Sequence, residues 1–234
     1  MKLSTLNLFG RFDNWPTRRK KIIHYLSDID ADVVFFQEVV YLPDESPYTQ
    51  VTELNDTLAY PYEHTAVTRL QTSEVYSEHR EGQGILSKFP IVKSETLVLR
   101  QHPHDHLQRI VQLVDIQVND QIVKFANVQF AELPIHAGIH FDELLDILRS
   151  RHEQRIIVGD FNIPNIDLPL YTKLWQKDYT SSSATPYISY PLFETCIDYI
   201  LIPKLYTFDD ITVSPDGLSD HRAVTANITL RNEA

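Results

Sequence analysis

Four short segments of this chain set polar side chains where apolar runs end. In Ile156-Ile157-Val158-Gly159-Asp160-Phe161-Asn162 a strand-like run stops at a glycine, and Asp160 and Asn162 follow two residues apart. Side chains at the carboxyl end of a buried strand emerge into the crevice where ligands bind. There a carboxylate can accept a proton or orient a water, and an amide can donate to an anionic oxygen. The same residues equally suit a strand followed by an Asx turn with no chemistry at all. Val33-Val34-Phe35-Phe36-Gln37-Glu38 repeats the arrangement. Glu38 there would suit a hard divalent cation such as Mg²⁺, which takes oxygen ligands and often uses only one or two protein carboxylates. Asn7, near the end of the first apolar segment, could donate to a bound phosphate or hold Glu38. A glutamate after a strand is also commonly just solvated.

The fourth constellation lies near the carboxyl terminus. Leu218-Ser219-Asp220-His221 precedes the last apolar run, and Cys196-Ile197-Asp198-Tyr199-Ile200 sets an acid inside a strand-like segment. A buried aspartate needs a partner. His221 is the natural one, because a carboxylate orients an imidazole and raises its pKa. Structural His–Asp pairs are common, so this pair alone decides nothing.

These residues need elements to carry them. Lys2 to Phe9 reads as a strand, and Pro16 to Ser27 as a helix with Ile22, Ile23, Leu26 and Ile29 on its apolar side. Asp32 to Gln37 reads as a buried strand and Tyr48 to Leu58 as a second helix. Strands are expected at Ile85–Ser87, Ile91–Leu99, Ile110–Val118 and Ile122–Phe130, with Asn119-Asp120 as a hairpin turn. A helix over Ala137–Ser150 precedes strands at Arg155–Val158, Ile197–Ile202 and Ala223–Thr229. Helices and strands alternate at both ends around a run of hairpins, which suits a mixed α/β (α+β) domain of two packed sheets with helices outside.

Composition narrows the partners. The 234 residues include 32 acidic and 21 basic side chains, so the formal charge is 21 − 32 = −11. Such a surplus repels polyanions, whereas nucleic-acid binders usually carry a basic footprint. With 43% hydrophobic residues the chain has enough apolar surface for one core, and a single domain over residues 1–234 is expected. No apolar run approaches the ~20 residues of a membrane span. Asn7 and Arg11 interrupt the amino-terminal apolar residues, so no secretory signal is expected. The single cysteine, Cys196, suits a reduced residue in a cytoplasmic protein. The oligomeric state stays open, a monomer being the simplest expectation.

Taken in order, the segments resemble the endonuclease/exonuclease/phosphatase superfamily, the Mg²⁺-dependent phosphodiesterases related to pancreatic deoxyribonuclease. The resemblance runs through Leu6-Asn7, Trp15-x-x-Arg18 and Asp32 to Glu38, then Glu81-Gly82-Gln83-Gly84-Ile85-Leu86-Ser87-Lys88-Phe89-Pro90. It continues through Gly159-Asp160-Phe161-Asn162, Ile197-Asp198-Tyr199-Ile200 and Ser219-Asp220-His221. Each motif is weak alone; the ordered set is specific and spans nearly the whole chain. The resemblance implies a four-layer α/β/β/α sandwich of two packed mixed sheets. It implies Glu38 as the principal Mg²⁺ ligand, with Mn²⁺ as substitute metal, Asn7 beside it and Asp220 as an additional ligand. Asp160 would orient or deprotonate the attacking water, and Asn162 would hold phosphoryl oxygens. His221 would contact the phosphate, with Asp198 fixing its ring. Tyr76 and Arg109 fall where some relatives contact phosphate, although Arg109 also suits a surface charge at a strand start.

One position departs from the pattern. Many relatives carry Asn-x-His at the end of a central strand, where this chain has Asn127-Val128-Gln129. Gln129 can hydrogen-bond a phosphate oxygen but cannot donate a proton as an imidazolium does. Leaving-group help from that position is therefore absent. The expected substrate is a phosphodiester or phosphomonoester, with the acidic charge leaning towards a small molecule or lipid head group and nucleic acid as the alternative. A member that binds a phosphorylated ligand without hydrolysing it is the reading Gln129 suggests. Of the remaining features, Arg18-Arg19-Lys20-Lys21 suits a solvated helix face, with Arg18 reaching a buried acid as the family motif suggests. His102, His104 and His106 suit a surface loop, and Cys196 a core residue. Tyr187, Tyr190 and Phe193 either border the substrate cleft or pack their loop onto the domain.

Overall fold

Apolar residues on both faces of a strand require cover on both sides. Val33 to Phe36 is such a run, and its alternation sets the layers. The computed structural model describes residues 1–43, 47–71, 79–101, 107–172 and 175–231. In chain order the elements are β1 (Lys2–Asn7), α1 (Trp15–Ile29), β2 (Val33–Tyr41), α2 (Gln50–Leu58) and β3 (Tyr62–Gln71). There follow β4 (His79–Ser87), β5 (Ile91–Val98), β6 (Ile110–Val118), β7 (Gln121–Gln129) and α3 (Pro134–Ser150). The chain closes with β8 (Ile156–Asp160), β9 (Tyr179–Ser181), β10 (Asp198–Pro203), β11 (Tyr206–Val213) and β12 (Val224–Leu230).

Two six-stranded sheets result, one ordered β11-β12-β1-β2-β4-β3 and the other β5-β6-β7-β8-β10-β9. Each is mixed: β1 runs parallel to β2 and β7 parallel to β8, while their other neighbours are antiparallel. Val33 and Phe35 point between the sheets, where they join Phe125, Val158 and Ile200. Val34 and Phe36 point the other way, onto Ile22 and Leu26 of α1 and Val51 and Leu54 of α2. In the second sheet Ile157, Tyr199 and Leu201 meet Phe141, Leu144 and Leu148 of α3. Period-two alternation thus yields the expected α/β/β/α sandwich.

Most boundaries fall within a few residues of expectation. α1 begins at Trp15, capped by the Asn14 side chain accepting from Thr17 N, with Pro16 in the first turn. Asn119, at φ 53°, makes the two-residue turn between β6 and β7. Unforeseen were β3, β9 and β11, and each is the edge strand of a sheet. Edge strands need fewer apolar residues, so Tyr-Glu-His-Thr in β3 and Phe-Asp-Asp in β11 carry no strong strand pattern. Arg18 is buried, and its guanidinium donates to the carbonyls of Leu8 (2.7 Å), Gly10 (2.9 Å), Phe12 (2.7 Å) and Leu218 (3.2 Å). It therefore ties the loop after β1 to the loop carrying Asp220 and His221, while Lys20 and Lys21 face solvent. Glu53, in turn, accepts from the Trp15 indole at 2.8 Å and pairs with Arg11. His102, His104 and His106 lie outside the described residues.

Candidate active site

The carboxyl ends of β1, β2, β7 and β8 and the start of β10 come to one edge of the sandwich. Register fixes the neighbours: Asn7 pairs with Gln37, Gln129 with Asp160, and Asp160 with Asp198. A cleft of about 740 Å³ opens there, within the usual range for small-molecule sites. Glu38, Asp160, Asn162, Asp220 and His221 line it.

Two backbone devices aim the carboxylates. Glu38 sits in β2 where the pairing with β4 slips between Phe36 and Val39, a bulge that holds it at φ 50°. A bulge re-aims a side chain, and positive φ in a non-glycine residue stores strain. Asp160 instead follows Gly159, at φ 141°, where an added Cβ would stand 2.1 Å from the Val128 carbonyl oxygen. Only glycine allows β7 and β8 to approach so closely there. Asn162, at φ 53°, turns back and donates from its backbone N to Asp160 Oδ1 at 3.0 Å. The Asx turn and the functional arrangement are therefore the same geometry. Phe161, between the two polar residues, points into the core, with edge-on contacts to Phe130 (5.2 Å, 89°), Phe141 (5.2 Å, 81°) and Tyr199 (5.4 Å, 83°).

Hydrogen bonds bind the site across both sheets. Asn7 Nδ2 donates to Glu38 Oε1 at 3.1 Å and to Asp160 Oδ2 at 3.1 Å. Its orientation is fixed because the Phe9 N–H needs an acceptor and takes Asn7 Oδ1 at 2.9 Å. Asn7 thus presents donors, not a ligand oxygen, to the carboxylates. Gln129 Nε2 donates to Glu38 Oε1 at 2.9 Å. Asn162 Nδ2 donates to the Phe130 carbonyl (3.1 Å) and to Asp160 Oδ2 (3.3 Å). His221 Nδ1 meets Asp198 Oδ2 at 2.9 Å, which leaves Nε2 on the cleft side. Its ring lies 4.7 Å from that of Tyr190. Asp198 is held by its neighbours, since Ser189 Oγ accepts from its backbone N at 3.0 Å and Tyr187 Oη donates to its carbonyl at 2.9 Å.

These surroundings move the proton affinities. Burial pushes Glu38 up to about 7, with Glu81 adding like-charge repulsion. Burial also pushes Asp160 up to about 7, with Asp198 the next cause. Burial alone would lower His221, but the Asp198 carboxylate outweighs it and holds the ring up at about 10. The site therefore sets two crowded carboxylates beside an imidazolium. Among the described residues no three of His, Cys, Asp and Glu converge as a ready-made metal cage.

The other sequence candidates fall out as follows. Arg109 is buried at 2% exposure, not a surface charge, and does not line the cleft; its Nη2 lies 3.5 Å from Glu132, which does. Tyr76 lies outside the described residues. The aromatic loop divides: Tyr187 packs inward on Ser182 and Asp198, whereas Tyr190 and Phe193 border the cleft. Cys196 is half-buried, and burial pushes its thiol up to about 12, so it is no nucleophile. Sequence reasoning missed Phe9, Glu132, Pro134 and Pro164 in the cleft wall. Phe9, Glu132 and Pro164 stand in loops just beyond strand ends and Pro134 opens α3 after one of them, which is the one signal that marks them.

The model of the Endonuclease/Exonuclease/phosphatase family matches residues 4–221. No curated protein sequence matches the chain. Among solved structures, a functionally unknown conserved protein from Enterococcus faecalis V583 is similar at 19% identity and TM-score 0.78, covering 99% of this chain and 100% of its own. An endonuclease/exonuclease/phosphatase family protein from Leptotrichia buccalis C-1013-b gives 16% identity, TM-score 0.79, and 98% and 100% coverage. A humanized D. rerio TDP2 gives 15% identity and TM-score 0.71, with 98% of each chain covered. At these identities the likeness speaks for the fold.

Proposed function

The chain belongs to the endonuclease/exonuclease/phosphatase family, whose members are generally phosphoester hydrolases, and from that premise we propose a Mg²⁺-dependent phosphodiesterase acting on a small-molecule or lipid-head-group diester. Mn²⁺ would substitute for Mg²⁺. The observation that carries the reading is the Asn7 amide bridging Glu38 and Asp160, with His221–Asp198 on the same cleft.

The residues present suit the cation. Glu38 and Asp160 are hard oxygen donors whose burial raises their proton affinities, a cost that a bound cation would offset. Mg²⁺ needs only one or two carboxylates and takes its other ligands from water and substrate, so the lack of a three-residue cage is no obstacle. Glu38 would hold it, and Asp220, which lines the same cleft, would assist. The bound cation would polarise a phosphoryl oxygen and offset its charge.

The chain's own groups supply the rest. Asp160 accepts the proton of the attacking water, which in-line displacement at phosphorus requires. Asn162 and Asn7 keep that carboxylate turned to the cleft. His221, positively charged at neutral pH, presents Nε2 to the phosphoryl oxygens as negative charge builds on them. Gln129 provides no proton for the leaving oxygen, which favours substrates whose leaving group departs readily.

Release of nitrophenol from bis-nitrophenyl phosphate tests the reading. Turnover should need Mg²⁺, vanish with chelator, and fall about 10²–10⁴-fold in Asp160→Asn. Ligand binding without turnover in the wild type would favour a non-hydrolysing member instead. Salt separates the substrate classes: a small diester should show nearly flat dependence, and steep loss with added salt would point to nucleic acid.

A further inference from the structure

The two carboxylate oxygens of Glu38 live in unlike surroundings. Oε1 accepts from Asn7 Nδ2 at 3.1 Å and from Gln129 Nε2 at 2.9 Å, whereas no described residue donates to Oε2. The donors come from opposite sheets, Asn7 from β1 and Gln129 from β7. Both are buried, at 1% and 6% exposure, and neither lines the cleft. A second pair, one residue back on β2 and two back on β7, ties the same strands together: Gln37 Nε2 donates to Asn127 Oδ1 at 2.7 Å, and Asn127 Nδ2 to the Phe36 carbonyl at 3.1 Å. The Gln129–Glu38 contact is thus the outermost rung of a cross-sheet ladder whose inner rung is wholly buried.

We propose that Gln129 is a positioning residue, holding Glu38 Oε1 so that Oε2 alone faces the cleft, and that it does not contact the substrate. This rests on the reading of Glu38 as the cation's ligand. To reach a substrate oxygen instead, the amide would have to give up its bond to a buried carboxylate and leave that acceptor to Asn7 alone. The bulge at positive φ aims Glu38 at the cleft but does not choose which carboxylate oxygen its partners hold. Two amides on one oxygen make that choice, and an amide donates at any pH. Partners that orient a metal ligand commonly change metal affinity 10–100-fold when removed.

Mn²⁺ titration by calorimetry, without substrate, reads this directly on the wild type, Gln129→Met and Gln129→His. Gln129→Met keeps the length and loses the N–H, and Mn²⁺ should bind about tenfold or more weakly. The melting temperature in chelator should stay within about 2 °C of the wild type. Gln129→His keeps a ring N–H on that side and should recover most of the affinity. At saturating Mn²⁺, KM for bis-nitrophenyl phosphate should be unchanged. Should Gln129→Met fold poorly, Gln129→Asn, whose amide stops one methylene short, should show the same loss of affinity. Unchanged Mn²⁺ affinity in a folded variant, with a raised KM, overturns the clamp and makes Gln129 a substrate contact. No saturable Mn²⁺ binding by the wild type overturns the functional reading, and the clamp with it.

Discussion

Glu38 and Asp160 share a cleft, an amide donor and a raised proton affinity, yet they arrive by different routes. Asp160 stands on a stiff mount: Gly159 lets β8 press against β7, an Asx turn closes over the carboxylate, and Phe161 is sunk in an aromatic cluster. Glu38 stands on a bulge in the middle of β2, at positive φ, and depends on side-chain donors from both sheets. Asp160, the proposed base, is fixed by packing and its own turn. The group that would hold a cation is fixed by hydrogen bonds, which can adjust as a ligand enters.

Substitutions should separate the two mounts. Phe161→Ala removes the anchor under Asp160 and should destabilise the fold by ~3–5 kcal/mol, read from denaturant unfolding; a change below ~1 kcal/mol would mean the aromatic cluster does not brace the turn. Gly159→Ala should follow at ~1–3 kcal/mol, because the new Cβ meets the Val128 carbonyl and the backbone must shift. Glu38→Gly goes the other way. It relieves positive φ and removes a crowded charge, so in chelator the protein should gain on the order of 1 kcal/mol while losing Mg²⁺ binding. Loss of stability there would show that the bulge is unstrained.

Acidity sharpens the contrast. Both carboxyls hold protons more tightly when folded, near pH 7, than at their ordinary values of 4.5 for Glu38 and 3.8 for Asp160. Their contribution to stability in chelator therefore declines as pH rises from about 4 to 7, then levels. His221 works in the same direction over a higher range: its contribution is complete below 6.5 and is lost as pH rises through about 10. Melting curves in chelator should fall less between pH 4 and 7 for Asp160→Asn than for the wild type. Added Mg²⁺ should raise the wild-type melting temperature more at pH 8 than at pH 5. Equal gains at both would argue that protons and cation do not compete for these oxygens.

How much of this was legible beforehand follows the same division. The stiff mount is written locally: a β run, glycine, and Asp-Phe-Asn show where Asp160 emerges, and His221 with Asp198 follows from the need to partner a buried acid. The bulge leaves no local mark, since Gln37-Glu38 reads like any end to a buried strand, whereas β2 continues to Tyr41. Gln129 was recognised as a departure, but its contact with Glu38 spans 91 positions and two sheets, a relation that only packing creates. Arg109, expected as a phosphate contact with a surface charge as the alternative, is buried outside the cleft lining, and the cover supplied by neighbouring layers cannot be seen from its own segment. Edge strands β3 and β11 escaped for the converse reason, having too little burial to impose a pattern, and β9 because three residues are too few to show one.

A crystal structure with Mg²⁺ and a non-hydrolysable phosphate analogue would test the central claim most directly. The cation should sit on Glu38 Oε2, with phosphorus between Asp160 and His221 Nε2. An analogue bound away from this cleft, or held there with neither Glu38 nor His221 in contact, would contradict it.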